Sequence, residues 1–138
     1  MSFNYKFPSA PSLPFVGNKV TVYGYNQTAD NMDIIFPVYN NITVVKMNDI
    51  IDNTNNNINI YLKPDVSNAQ LGSIVYFFAK VKVVDGVYQV NINFNQDSIY
   101  FVASTGGYEE NININNYERV AFTFVFDGEK LCSTYPLI

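Results

Sequence analysis

Apolar and polar residues alternate along much of this chain, which is the pattern of strands that bury one face. The longest example runs from Ser73 to Val84 and resumes, after Asp85-Gly86, from Val87 to Phe94. Because Asp-Gly favours a two-residue type I′ turn, the pattern predicts a β-hairpin with one apolar and one mostly wet side. The predicted facing pairs on the apolar side are Val83 with Tyr88, Val81 with Val90, Ala79 with Ile92, and Phe77 with Phe94.

Further strands are predicted on both sides of this hairpin, separated by turn signals. The segments 47–53 and 64–72 are the only helical candidates, and both are short. Strand after strand without crossover helices predicts antiparallel pairing in an all-β domain, a β-sandwich or a jelly-roll-like fold. The predicted strands are Lys19–Tyr25, Asp33–Tyr39, Asn41–Met47, Asn57–Leu62, Ser73–Val84, Val87–Phe94, Ile99–Ala103, Asn111–Asn115, Arg119–Phe126 and Lys130–Thr134.

Two short segments alternate isoleucine with asparagine. The segment 57–62 places Ile58, Ile60 and Leu62 on one face, and the segment 111–115 does the same with Ile112 and Ile114. The asparagines opposite them are expected to face water or a partner. Their abundance, with that of Ile, Tyr and Lys, also indicates AT-rich coding.

A second hairpin is predicted near the end of the chain, where Asp127-Gly128 joins two apolar segments. A two-residue turn there would place Leu131 opposite Phe124. The core face of the first strand is then formed by Val120, Phe122, Phe124 and Phe126.

Residues 1–16 differ in composition from residues 17–138, which form the predicted β-domain. Prolines recur among aromatic residues there, and proline disfavours helix and removes donors from a sheet ladder. We therefore expect an extended anchoring arm that docks onto its own domain, a neighbouring subunit or another protein. The arm residues expected to make the anchor are Phe3, Tyr5, Phe7, Pro8 and Phe15.

The composition fits one globular domain, since 48% of the 138 residues are apolar and 14% are charged. A net charge of −4, with Arg119 as the only arginine, disfavours nucleic acid as a partner. No apolar run reaches membrane-spanning length and no signal peptide is recognised, so no membrane contact is expected. Cys132, the single cysteine, is expected to be a small buried hydrophobic residue.

The chain contains no histidine, which excludes Ser-His-Asp and Cys-His catalysis and histidine zinc sites. The acidic groupings are Glu109 with Glu110, Asp30 with Asp33, and Asp49 with Asp52. None has the spacing of a calcium loop, and adjacent acids on a strand point to opposite faces. We expect no enzyme activity, cofactor or metal, although a carboxylate glycosidase based on Glu109 and Glu110 stays open as a minor alternative.

The chain has 11 tyrosines, and aromatic rings beside amides and carboxylates can bind sugars. Tyr23, Tyr25, Tyr61 and Tyr108 are predicted to be the exposed ones. A carbohydrate-binding or receptor-binding module is therefore the alternative function. The structural alternative to sugar binding is that these tyrosines are half-buried strand residues or lie in a subunit interface.

The second half of the chain resembles small β-domains of tailed-bacteriophage virion proteins. The resemblance lies in the segments 71–77 and 90–94, the Gly106-Gly107 loop, and Arg119–Lys130 with Tyr135 near the end. Many members carry a tryptophan there, which this chain lacks. The resemblance implies a non-enzymatic protein in capsid decoration or in a head or tail fibre, and the AT-rich coding suits phages of the crAss-like group. It also implies other virion proteins as partners, a homo-oligomer such as a trimer, and residence in the virion after synthesis in the host cytoplasm.

Overall fold

The computed structural model describes residues 19–39, 41–52, 57–83, 89–102, 110–114 and 119–133. These residues form ten strands and no helix, and they contain no apolar helix that could cross a membrane. The strands are β1 (Val20–Tyr25), β2 (Asn31–Pro37), β3 (Ile42–Asp52), β4 (Ile58–Asp65), β5 (Ile74–Val83), β6 (Val90–Phe94), β7 (Ile99–Tyr100), β8 (Asn111–Asn113), β9 (Arg119–Phe126) and β10 (Leu131–Ser133).

The strands are arranged in two sheets that pack against each other. The six-stranded sheet has the order β1-β3-β5-β9-β10-β7, and the four-stranded sheet has the order β2-β4-β6-β8. Their inward faces form one apolar core, to which Met47 and Phe77 contribute from one sheet and Ile60 and Ile92 from the other. The predicted all-β sandwich is confirmed.

Strand pairing is mixed, so the prediction of purely antiparallel pairing is wrong. Pairs β1–β3, β3–β5, β2–β4, β4–β6 and β7–β10 are parallel, whereas β5–β9, β9–β10 and β6–β8 are antiparallel. From β1 to β6 successive strands alternate between the sheets. Successive strands therefore lie on opposite sides of the core, roughly 10 Å apart. Strands that are two apart in the sequence become parallel neighbours in the same sheet, and no crossover helix is needed between them.

The predicted hairpin between β5 and β6 is not formed, because these strands belong to different sheets. Val81 pairs with Ile50, and Val90 pairs with Ile58. Alternation correctly indicates that each strand buries one apolar face. It does not specify whether two such faces lie side by side in one sheet or oppose each other across the core. The Asp85-Gly86 turn lies outside the described residues.

The β9–β10 hairpin is confirmed, with a different register from the predicted one. Leu131 lies opposite Phe126 instead of Phe124, because the turn spans Asp127–Lys130. The Asp127 backbone N–H donates to the Lys130 carbonyl at 3.0 Å. Gly128 has φ +104°, a conformation that favours glycine. The predicted core face of β9 is confirmed: Phe124 and Phe126 are buried and Val120 and Phe122 pack against the core.

Neither short helical candidate forms a helix. Residues 47–52 continue β3, in which the register with β5 shifts between Met47 and Ile50. Residues 64–65 end β4, and turns lead from there to β5. Residues 47–52 pair with β5, and residues 64–65 pair with β2. These tertiary contacts outweigh the weak helical propensity of both segments.

Candidate functional site

The outward surface of the six-stranded sheet is apolar over most of its area, and we call it the apolar face. Alternation along each strand turns one set of side chains into the core and leaves the other set outside. The strand registers align the outward residues in rows. The first row is Val20, Ile42, Ile74, Val125, Cys132 and Tyr100; the second is Val22, Val44, Tyr76 and Thr123; the third contains Phe78 and Ala121.

Several side chains of the apolar face are well exposed. Val22 is 62% exposed, Val20 52%, Phe78 43% and Tyr100 41%. The rings of Tyr76 and Phe78 stack with their centroids 6.4 Å apart. A sheet with one wet face normally places polar residues there, so a contiguous apolar surface of this kind indicates an interaction site.

Cations are concentrated at one end of the apolar face. Lys80 lies opposite Arg119, and Lys46 lies beside Phe78 in the neighbouring strand. They line a shallow groove of about 700 Å³ whose floor includes Phe78 and Ala121. In a chain with a net charge of −4, this arrangement favours a partner that presents carboxylates near apolar side chains.

Cys132 also lies on the apolar face and is half-buried, not fully buried as predicted. Its Sγ donates to Asp127 Oδ2 at 3.4 Å. Burial, and after it the Asp127 carboxylate, raises the pKa of the Cys132 thiol. The thiol therefore stays protonated near neutral pH, whereas a nucleophile would need the opposite shift.

The outward surface of the four-stranded sheet carries a row of hydrogen-bonded amides, the asparagine ladder, formed by Asn31, Asn59, Asn91 and Asn113. The strand registers place these four residues side by side. Asn59 Nδ2 donates to Asn31 Oδ1 at 3.2 Å, Asn91 to Asn59 at 3.4 Å, and Asn113 to Asn91 at 3.2 Å. The expectation that strand asparagines face outward is confirmed.

Tyr61 lies in the next row of this surface, between Asp33 and Asn93. Lys63 Nζ lies 3.1 Å from Asp33 Oδ2 and 5.9 Å from the centre of the Tyr61 ring. Tyr61 and Lys63 line a groove of about 360 Å³ together with Asn95, Gln96 and Asp97. We call this the Tyr61 groove, and its mixture of ring, amide and charge is suited to a polar ligand.

The structure does not bring the four predicted tyrosines onto one surface. Tyr23 and Tyr25 point inward from β1 and are half-buried against the core. The Tyr25 hydroxyl donates to the Ile35 carbonyl at 3.0 Å, and burial, with Tyr23 nearby, raises the pKa of the Tyr25 phenol. Tyr61 alone among the described members of the set lies on the outward surface. Tyr108 and the arm residues Phe3, Tyr5, Phe7, Pro8 and Phe15 lie outside the described residues.

Two of the acidic residues singled out in the sequence, Glu110 and Asp33, interact with other side chains. Glu110 is exposed and accepts a hydrogen bond from Gln96 Nε2, and Asp33 pairs with Lys63. No group of three or more metal-ligating side chains occurs among the described residues. Glu109 lies outside them.

Sequence reasoning missed both the apolar face and the continuity of the ladder. One signal for the apolar face was available, since Ile74-Val-Tyr-Phe-Phe78 has no polar residue at either alternate set of positions. A strand that is apolar on both sides is typical of one covered on both faces. The ladder depends on register between distant strands, which the sequence does not reveal.

Comparison with known proteins adds no assignment to these two surfaces. No family model, curated protein or solved structure matches the chain. The chemistry of the two outward surfaces is therefore the basis for the function proposed next.

Proposed function

We propose that this chain is a non-enzymatic structural protein of a bacteriophage particle, in capsid decoration or as part of a head or tail fibre. The observation that supports this proposal most directly is the apolar face. Exposed apolar surface of this extent is costly in water and is normally covered by another protein. The chain would thus reside in the particle as one subunit of a homo-oligomer, in contact with other virion proteins.

The proposed anchor is the aromatic and proline-rich arm, residues 1–16. Three residues of sequence separate residues 1–16 from β1, the edge strand of the six-stranded sheet. Val20 and Val22 of that strand belong to the apolar face. The arm therefore joins the domain beside the surface that needs a neighbour, and both would contribute to attachment.

The proposal is tested by incorporation into particles. Particles would be purified from host cells that produce either the full chain, a chain lacking residues 1–16, or the Phe78→Asp variant. We expect both changes to reduce the copy number per particle several-fold, measured by quantitative mass spectrometry. Ile35→Asp is the matched control, because Ile35 is 65% exposed but lies on the other sheet. Equal incorporation of all variants would contradict the proposal.

Saccharide or receptor binding at the Tyr61 groove is the second candidate function. It is favoured by the position of the Tyr61 ring between Asp33 and Asn93, because rings bind pyranose faces while amides and carboxylates bind hydroxyl groups. A glycan array distinguishes the two functions. A receptor-binding module would show saccharide preference that Tyr61→Ala abolishes and Tyr100→Ala, on the apolar face, preserves. A purely structural subunit would show none.

A further inference from the structure

We propose that the apolar face is covered by a second copy of this chain, in a symmetric pair whose six-stranded sheets pack face to face with antiparallel strand directions. This inference deepens the proposed function by naming the neighbour, and it rests on the assignment of the apolar face as a protein interface. It also sets the stoichiometry, since a face-to-face contact closes as a pair.

Strand β5, at the centre of the six-stranded sheet, is apolar on both of its faces. Ile74, Tyr76 and Phe78 point outward, while Val75 and Phe77 point into the core. A strand apolar on both faces is characteristic of sheets covered on both sides. The outer side of β5 therefore has the composition expected beneath a second packed layer, and another sheet is the flat apolar surface that fits it.

The apolar face extends across all six strands of the sheet. The three outward rows contain six, four and four residues, and at about 4.8 Å between strands and about 6.8 Å between rows they give a face of roughly 450 Å² per copy. A symmetric pair would bury roughly 900 Å² in total, in the range of small, reversible protein interfaces. The face thus suffices for a reversible pair in which apolar side chains occupy the centre and charges the rim.

Charged residues are distributed unevenly between the two ends of the apolar face. Lys46, Lys80 and Arg119 lie at one end of the face. The opposite end carries charges of both signs: Asp127, Glu129 and Lys130 follow the far end of β9, and Lys19 lies at the same end of the sheet, three strands away. A two-fold axis across the strands places the cations of one copy near the carboxylates of the other. An axis along the strands would place cations against cations, which like-charge repulsion disfavours.

The stoichiometry is tested with the full chain by sedimentation velocity and light scattering at micromolar concentration. We expect a mass twice that of the 15.6 kDa chain. Val22→Asp should weaken pairing by roughly a hundredfold, because it would bury an unpaired carboxylate in the interface, and Phe78→Asp should also weaken pairing because it removes the exposed Phe78 ring. Ile35→Asp should leave pairing unchanged, and circular dichroism should report the same β content for all variants.

The orientation is tested by charge reversal. Arg119→Glu should weaken pairing with itself and with the wild-type chain, and mixing it with Glu129→Arg should restore pairing. The reverse orientation gives a different result: Arg119→Glu would then pair with the wild-type chain more tightly than two wild-type copies do. That outcome would overturn the antiparallel arrangement.

Other masses would overturn the pair itself. A trimer would show that another geometry covers the face. A monomer that begins to pair after deletion of residues 1–18 would show that this chain's own N-terminal segment is the occupant. If the chain is a monomer and neither Phe78→Asp nor the deletion changes its oligomeric state, the neighbour is a different virion protein. The incorporation experiment then still tests the structural role separately.

Discussion

At the scale of single residues, the Asp127–Lys130 turn illustrates how one carboxylate organises a connection. Asp127 Oδ1 accepts hydrogen bonds from the backbone N–H groups of Glu129 and Lys130, each at 2.8 Å. These bonds hold the pKa of Asp127 below its usual range, and the bond from the Lys130 N–H has the largest effect on this pKa. Gly128 supplies the positive φ within the same turn. The wider turn explains why Leu131 lies opposite Phe126.

Stability should depend on pH through this carboxylate. Because the pKa of Asp127 is lower in the folded chain, its contribution is present above the unfolded pKa of about 3.9 and is lost as pH falls through the folded pKa. We expect the urea midpoint of the wild-type chain to fall more between neutral pH and about pH 3 than that of Asp127→Asn.

Hydrogen bonds from Ser67 also lower the pKa of Asp65. Asp65 is present in both chains, so its contribution to the pH dependence of stability cancels in this comparison. Glu129→Gln is the control, because the Glu129 side chain accepts neither of the two turn hydrogen bonds. The same pH dependence in wild type and Asp127→Asn would contradict the assignment.

At the scale of elements, the asparagine ladder links all four strands of the smaller sheet. Asparagine has poor strand propensity, so its repeated use here needs compensation. In-register stacking supplies it, because each interior amide both donates to one neighbour and accepts from the other. The ladder thereby favours the register that also keeps the isoleucines of β4 and β6 in the core.

The middle of the ladder should therefore be more sensitive than the surrounding surface. Asn91 donates to Asn59 and accepts from Asn113, so Asn91→Ala should cost about 1 to 2 kcal/mol of unfolding free energy. Asn111→Ala is the matched control on β8, since the Asn111 side chain makes no hydrogen bond within the described residues. Urea denaturation gives both values. Equal effects would mean that the amides act only as a hydrated surface.

At the scale of the whole molecule, a cluster of phenylalanines joins the two sheets. Phe94 of the smaller sheet stacks on Phe101, which follows β7, with ring centroids 4.4 Å apart. Phe122 of β9 meets both rings edge-on, at 6.0 Å from Phe94 and 5.3 Å from Phe101. The sandwich is therefore held together across its core as well as within each sheet.

Removing the centre of this cluster should destabilise the entire fold. Phe94 is 4% exposed, and Phe94→Ala should cost about 3 to 5 kcal/mol, with Phe94→Leu costing less because the cavity is smaller. Ile35→Ala, at an exposed side chain on the outward surface of the smaller sheet, is the control and should change stability little. Calorimetric unfolding measures all three. A small loss for Phe94→Ala would mean that the sheets are joined elsewhere.

Strand positions were predictable from sequence to within a few residues for most elements, because alternation reports directly which side chains are buried. Ile58, Ile60 and Leu62 are all buried as predicted. Strand partners were not predictable: the Asp85-Gly86 signal suggested a hairpin, yet β5 and β6 lie in opposite sheets. Of the candidate site residues, Tyr61 lies outward, while Tyr23 and Tyr25 face the core. In β1 the set with Val20 and Val22 and the set with Tyr23 and Tyr25 are both apolar, so alternation in this strand does not say which set is inside.

By itself the sequence determined the all-β class, the buried faces of most strands and the turn at Asp127-Gly128, since these depend on short-range alternation and local backbone preference. Only the tertiary structure decided that successive strands cross between sheets, that four distant asparagines form one ladder, and that Val22 and Phe78 share an exposed face. Those features depend on which strands become neighbours. The free energy that selects neighbours comes from packing the whole core, and no local segment encodes it.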